Sequence, residues 1–172
     1  MRSKVKKQAE KDAERLRKTA VRGEFAVEPV GVAERLGIQV RETELDPDTL
    51  GALFMKPNGD PKIVLNQRHS LLRRRLTAAL ELGYYVQMSA QTNEYERVDF
   101  RDRFEQAGGE ADDVYAREFA GCLLMPKEDV KILADLKVDD LEMALRFFVP
   151  REAMQTRLGD LGMGRFELEE AR

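Results

Sequence analysis

The chain has 172 residues, with 32 acidic and 29 basic side chains and a formal net charge of -3 at pH 7. This small negative charge excludes a general electrostatic attraction to nucleic acid or to a membrane surface. The single cysteine, Cys122, excludes an internal disulfide bond and fits a reducing compartment. Because no apolar run resembles a signal peptide or a transmembrane segment, we expect a cytoplasmic protein without membrane contact.

In chain order, the first third of the sequence predicts two helices and then a small sheet. Apolar residues at helical spacing predict a basic helix over residues 2–20, and a short helix follows at residues 30–36, ended by Gly37. A hairpin turn is predicted at residues 57–60. Two strands, at residues 51–56 and 62–66, are predicted on either side of this turn, and a third is predicted earlier, at residues 38–45. Together they are expected to form a largely antiparallel sheet.

The remainder of the chain is predicted to be helical. A helix over residues 70–88 has Ser70 as its N-cap, and residues 89–112 read as a long loop. Another helix follows at residues 113–125 and stops at Pro126. We therefore expect two parts, at residues 1–126 and 127–172, the second of which contains three shorter helices, at residues 127–136, 139–148 and 151–161.

Two helical segments carry a family resemblance. Residues 75–85 read RLTAALELGYY, and residues 116–126 read AREFAGCLLMP. In this order they resemble motifs of the ImmA/IrrE family of zinc metallo-endopeptidases (peptidase M78-like), typically R-F-T-x-A-H-E-x-G-H-Y and often A-N-x-F-A-x-x-L-L-M-P. The resemblance implies an α+β, zincin-like minimal metallopeptidase domain, in which a three-stranded antiparallel sheet packs on helices.

The sequence departs from this family at the residues that bind zinc. In H-E-x-x-H, two histidines one helical turn apart bind one zinc ion, and the glutamate acts as general base on the zinc-bound water. Here Leu80 and Tyr84 stand at the two histidine positions, Glu81 keeps the general-base position, and the resemblance makes Asp113 the third ligand position. Leucine cannot bind a metal, and a neutral phenol is a poor zinc ligand. We therefore predict that the zinc is lost and that no cofactor replaces it. The side chains of Leu80 and Tyr84 are expected to occupy the space of the zinc ion as part of the hydrophobic core.

A rebuilt metal site is the first alternative to a loss of zinc. The only histidine, His69, precedes the motif helix, and Cys122 follows it in the next motif. A site made of these two residues with Glu81 and Asp113 is conceivable, but nothing in their spacing favours it. We expect His69 at the surface or at a helix cap and Cys122 in the core.

The C-terminal part offers a second candidate activity. Residues 139–161 are similar to a helix-turn-helix, and a DNA-reading helix presents polar and basic side chains to the groove. Glu152 and Asp160 leave the second helix nearly neutral, which favours packing over DNA reading. The side chains that would contact DNA are Arg151, Gln155 and Arg157.

The resemblance suggests a function without catalysis. Family members commonly act in the regulation of phages or mobile elements, often against a helix-turn-helix repressor. The leading hypothesis is an inactive pseudo-peptidase that binds such a repressor-type protein. The alternatives are a DNA-binding transcriptional regulator that uses the C-terminal helices, and a residual metallo-endopeptidase with a rebuilt metal site.

Overall fold

A computed structural model describes residues 2–20, 26–92, 94–100 and 111–163. Within these ranges it contains seven helices and four strands. None of the helices in the described ranges combines the length and the apolar character that a membrane crossing needs. In chain order, the elements are α1 (Arg2–Ala20), α2 (Pro29–Arg35), β1 (Gln39–Thr43), β2 (Thr49–Met55), β3 (Lys62–Asn66), α3 (Leu71–Met88), β4 (Tyr95–Phe100), α4 (Ala111–Leu124), α5 (Lys127–Asp135), α6 (Asp140–Phe147) and α7 (Arg151–Asp160).

The strands form one sheet in the order β1-β3-β2-β4. β2 pairs antiparallel with both β3 and β4, whereas β1 pairs parallel with β3. The predicted α+β architecture, a small sheet packed on helices, is confirmed, but the sheet has a fourth strand and β1 joins it by parallel pairing. β4 arises within the segment that was predicted as a loop, and β1 crosses to the far side of the β2–β3 hairpin. Charged residues within YERVDF conceal the strand pattern of β4.

The helix boundaries agree closely with the sequence predictions. The Ser70 hydroxyl accepts a hydrogen bond from the Arg73 backbone N–H at 3.3 Å, which confirms Ser70 as the N-cap of α3. Gly37 follows α2 with a φ of 79°, a left-handed conformation that suits glycine at the end of a helix.

α3 lies at the centre of the molecule. Residues 75–84 are all buried, because β2 and β3 pack on one side of the helix and α4 packs on another. A Cβ atom on Gly83 would lie only 3.0 Å from the Cα of Ala116, so the absence of a side chain lets α3 and α4 approach closely. α1 packs in turn against α4. This burial fixes every side chain of the motif helix relative to the sheet and to α4.

The C-terminal helices share the same core as the rest of the chain. Met143, Phe147, Met154 and Leu158 belong to one apolar cluster with the residues of α3 and α4. The division at residue 126 remains a prediction, but apolar contacts continue across it.

Arg75 connects the motif helix to both sides of the fold. Its Nη2 donates to the Val27 carbonyl at 2.6 Å, and its Nε donates to the Phe148 carbonyl at 3.1 Å. Its Nη1 forms an ion pair with Glu28. One buried guanidinium thus holds the segment before α2 and the segment after α6 against α3.

Candidate functional site

The residues that the family resemblance aligns with the zinc-ligand histidines lie in the buried middle of α3. Leu80 and Tyr84 are each 4% exposed, and Glu81 is fully buried. Because residues four apart lie one turn apart on the same helix face, Leu80 and Tyr84 point towards α4 and its neighbours. Leu80 and Tyr84 therefore stand one helical turn apart on one face of α3, as the resemblance implies for its two aligned positions.

Tyr84 and Asp113 contact each other directly, as their predicted positions in one site require. The Tyr84 hydroxyl donates a hydrogen bond to Oδ1 of Asp113 at 2.9 Å. Beside it, Nε2 of Gln87 donates to Oδ1 of Asp112 at 2.8 Å. Both carboxylates lie in the first turn of α4, where the helix dipole favours negative charge. Two hydrogen bonds thus join the end of α3 to the start of α4.

Glu81 faces the sheet. A Cβ atom built on Gly51 of β2 would lie 3.4 Å from Oε1 of Glu81 and 2.8 Å from Cγ2 of Thr77. The same Cβ would lie 2.8 Å from the Val64 carbonyl oxygen, so position 51 has room for hydrogen only. A glycine in β2 therefore makes space for the carboxylate at the general-base position.

Leu80 faces a cavity of about 480 Å³ that is bounded by α3, α4 and α7. Leu76, one turn earlier, and Val114 of α4 also line this cavity. Leu80, which the resemblance aligns with the first histidine, therefore contributes to an apolar wall.

These side chains do not fit a zinc ion. Leu80 offers no donor atom, and the proton of the Tyr84 hydroxyl is directed at the Asp113 carboxylate. Catalytic zinc needs three protein ligands from nitrogen, sulfur or carboxylate oxygen. Across the part of the chain that the structure describes, no group of three or more His, Cys, Asp or Glu side chains could hold a metal ion.

The residues of the hypothetical rebuilt site lie in separate environments. The Nε2 atom of His69 is 3.1 Å from the Thr49 carbonyl oxygen, at the turn that leads into α3. The Sγ atom of Cys122 lies 3.4 Å from Nη2 of Arg157. Burial, opposed by the Arg157 charge, raises the pKa of the Cys122 thiol to about 12. Such a raised pKa favours the protonated thiol at neutral pH, which is the form that neither binds metal nor attacks as a nucleophile.

Arg157, one of the candidate DNA contacts, is directed into the protein. It is 5% exposed; its Nε donates to the Met125 carbonyl at 3.1 Å and its Nη1 to Oε1 of Glu118 at 2.9 Å. This burial contradicts a direct DNA contact by Arg157 and makes it a packing residue.

The other two candidate DNA contacts remain at the surface. Nη2 of Arg151 donates to Oδ1 of Asp140 at 2.9 Å, and Nε2 of Gln155 donates to Oδ2 of the same carboxylate at 2.6 Å. Asp140 thereby neutralises part of the surface that DNA would have to approach.

Sequence reasoning missed the partly buried network of charges around Glu118. Lys6 of α1 pairs with Glu118 at 3.1 Å and with Asp160 at 3.2 Å. Burial opposes the ionised form of Glu118, but Lys6 and Arg157 outweigh burial and lower its pKa. Lys6 and Asp160 are 154 positions apart, and Glu118 and Arg157 are 39 apart. No local pattern could have revealed contacts over such separations.

The comparison with protein families adds an independent observation. The family model described as the IrrE N-terminal-like domain, Peptidase M78, matches residues 33–159. A search among curated proteins found no matching relative. The matched range includes the whole sheet, the motif helix α3 and the helices up to α7. The chain belongs to the M78 peptidase family, whose members contain the IrrE N-terminal-like domain.

Proposed function

We propose that this chain is a pseudo-peptidase of the M78 family that binds a protein partner without cleaving it. The observation that carries the proposal is the hydrogen bond between Tyr84 and Asp113, with Leu80 one turn away. Two of the three ligand positions bind each other, and the third has no donor atom. The retained glutamate, Glu81, faces β2 from a fully buried position.

The chemistry of water supports the loss of catalysis. Free water has a pKa of roughly 15.7, whereas water bound to a catalytic zinc ion has a pKa of about 7. A carboxylate such as that of Glu81 cannot generate hydroxide efficiently from water that no metal has activated. A peptide bond brought to Glu81 would therefore lack a nucleophile.

The class of partner follows from the family resemblance. Relatives of this type commonly act against helix-turn-helix repressors of phages or mobile elements, and we propose the same kind of partner here. Retention of the sheet, the motif helix and α4 supports a binding role, because this scaffold persists after its ligand residues have changed. The buried Arg157 and the Asp140 contacts of Arg151 and Gln155 give the DNA-binding alternative no support.

Metal content tests the loss of the zinc site. Protein purified without chelators and analysed by mass spectrometry for zinc, iron and manganese should contain far less than one equivalent of metal. The matched variant carries Leu80→His and Tyr84→His together, which restores two imidazoles around Glu81 with Asp113 nearby. We expect this variant to gain zinc. Stoichiometric metal in the unaltered protein would contradict the proposal.

Co-purification tests the binding role. The tagged chain is expressed together with the repressor-type regulator encoded beside it, and the complex is analysed by intact mass. We expect a stable complex that contains the uncut regulator. Cleavage that disappears in a Glu81→Gln variant would identify an active peptidase instead, and the absence of any complex with regulators of the same locus would refute the partner class.

A further inference from the structure

The surface of α6 exposes a stripe of large apolar side chains. Leu141, Leu145 and Phe148 are 49%, 59% and 51% exposed. Their spacing along the chain places them on one face of the helix. Another face of α6 carries Met143 and Phe147, which are fully buried in the core. The helix is therefore apolar on two faces, and the outer one is exposed to solvent.

Leu71 of α3 belongs to the same side of the protein. It is 58% exposed and lies one helical turn before Arg75, on the same face of α3. The Arg75 guanidinium lies 5.7 Å from the centre of the Phe148 ring, and its Nε donates to the Phe148 carbonyl. Leu71 and the α6 stripe thus form an apolar patch made of Leu71, Leu141, Leu145 and Phe148. Exposed apolar patches typically mark sites of protein interaction.

Phe148 occupies a backbone position that favours glycine. Its φ of 53° and ψ of 49° are left-handed, a region that a bulky side chain disfavours. Half of the side chain remains exposed, so burial within the chain uses only part of the ring. Aromatic side chains are enriched at protein interfaces, and a contact of that kind would use the exposed half.

The charges on α6 are arranged so that the helix complements a copy of itself. Its first turn is acidic, with Asp140 and Glu142, and its last turn contains the basic Arg146. When two copies of α6 lie antiparallel across a two-fold axis, the acidic turn of each lies beside the basic turn of the other. The ion pair between Glu142 and Arg146 can persist within each chain, because the two pairs then lie side by side with opposite polarity.

One two-fold axis serves both the apolar and the charged contacts. Along the helix, Glu142 and Arg146 are equally far from Ala144, and the midpoint between Leu141 and Phe148 falls within one residue of the same position. Antiparallel pairing about this point places Leu141 of each copy against Phe148 of the other. It also places the two Leu145 side chains beside the axis.

We propose that this patch is the interface of a homodimer in which two copies of α6 pack antiparallel about a two-fold axis. The interface has an apolar centre and a charged rim, as protein interfaces generally do. Because each copy contributes few large side chains, the dimer is weak and forms at micromolar chain concentrations. It is independent of the proposed regulator complex, so either proposal can fail without the other.

Sedimentation velocity over a range of chain concentrations tests the dimer. We expect the sedimentation coefficient to rise from that of a monomer towards that of a dimer between about 5 µM and about 200 µM. A purely monomeric protein at the highest concentration would overturn the proposal.

Three variants locate the interface. Leu145→Glu places two like charges beside the axis and should weaken dimerisation by about tenfold or more. Ile132→Glu is the matched control, because Ile132 of α5 is also 59% exposed and undergoes the same chemical change. Phe148→Gly removes the ring but suits the left-handed backbone, so it should lose the dimer and keep the fold. Circular dichroism identifies the folded variants. Unchanged dimerisation of folded Leu145→Glu or Phe148→Gly protein, or an equal loss in Ile132→Glu, would contradict this interface.

Charge reversal distinguishes a second copy from any other occupant of the patch. Glu142→Arg alone sets like charges beside each other across the axis and should weaken the dimer. Glu142→Arg combined with Arg146→Glu reverses the pattern in both copies at once and should restore it. An occupant with fixed charges would be repelled by the double variant. A dimer that Glu142→Arg leaves unchanged, or that the double variant fails to restore, would refute the antiparallel arrangement.

Discussion

At the scale of single residues, the contact between Tyr84 and Asp113 is the main support for the proposed loss of the zinc site. The resemblance aligns Tyr84 with a zinc-binding histidine; tyrosine has no imidazole nitrogen, but the Tyr84 hydroxyl donates a hydrogen bond to the Asp113 carboxylate. The pair therefore links α3 to α4 directly. Such a bond between a neutral donor and a carboxylate gives the substituted site a structural role.

The first prediction concerns this bond. Tyr84→Phe removes the donor and leaves the Asp113 carboxylate without it, so we expect the free energy of unfolding to fall by about 1–3 kcal/mol. Chemical denaturation followed by circular dichroism measures the change. Tyr85→Phe is the matched control, because it makes the same chemical change at the neighbouring half-buried position. Equal losses in both variants would show that the bond has no particular role.

At the scale of elements, ion pairs join helices that are distant in sequence. Arg157 of α7 contacts Glu118 of α4, and Glu118 also contacts Lys6 of α1. Gly121 lies beneath the arginine, where a Cβ atom would be 3.6 Å from Cδ of Arg157. α7 is thus attached to the core by an ion pair as well as by Met154 and Leu158.

The second prediction tests this attachment. Arg157→Ala removes one of the two cationic partners of Glu118, whose carboxylate is partly buried. Breaking a buried ion pair in this way lowers the free energy of unfolding by roughly 3 kcal/mol or more. We expect a clearly lower midpoint in urea. Arg151→Ala, at the first residue of α7 and on its exposed side, removes a surface ion pair and should change the midpoint little. A midpoint for Arg157→Ala as high as that of Arg151→Ala would contradict the structural role.

The helices could be predicted from the sequence more accurately than the pairing of the strands. Helical periodicity and the Ser70 cap predict α3 within one residue, because both depend on neighbours in the chain. The parallel pairing of β1 with β3 depends on distant partners, and the charged residues of β4 hide its pairing with β2.

The candidate site likewise contains contacts that the sequence predicts and contacts that it does not. The family resemblance implies that Tyr84 and Asp113 share a site, and the structure joins them by a hydrogen bond. Nothing local predicts that Arg157 pairs with Glu118 or that Lys6 completes the network. Those contacts arise only when α1, α4 and α7 pack together, so the burial of Arg157 could not be deduced from its polar surroundings in the sequence.

At the scale of the whole molecule, charge and burial oppose DNA binding. The net charge is -3, and α7, the helix that would read DNA, has its Arg157 side chain buried in the protein. Its two other candidate contacts, Arg151 and Gln155, both donate hydrogen bonds to Asp140. A DNA phosphate would have to compete with this carboxylate for both side chains.

The third prediction is that the protein does not bind DNA. In a gel-shift assay with DNA from its own operon, we expect no retarded band at about 50 mM salt, where attraction to phosphate is strong. Asp140→Asn is an informative variant, because it releases Arg151 and Gln155 from a negative partner and should favour binding if these residues contact DNA. A salt-dependent, sequence-specific shift by the unaltered protein would revive the regulator hypothesis.

The guanidinium of Arg75 has a consequence for local opening of the fold. It holds the Val27 and Phe148 carbonyls, which belong to segments on either side of the motif helix. Neither segment can leave α3 without disturbing the side chain that also holds the other. The two should therefore open as one cooperative unit in hydrogen exchange, although more than a hundred positions of sequence separate them.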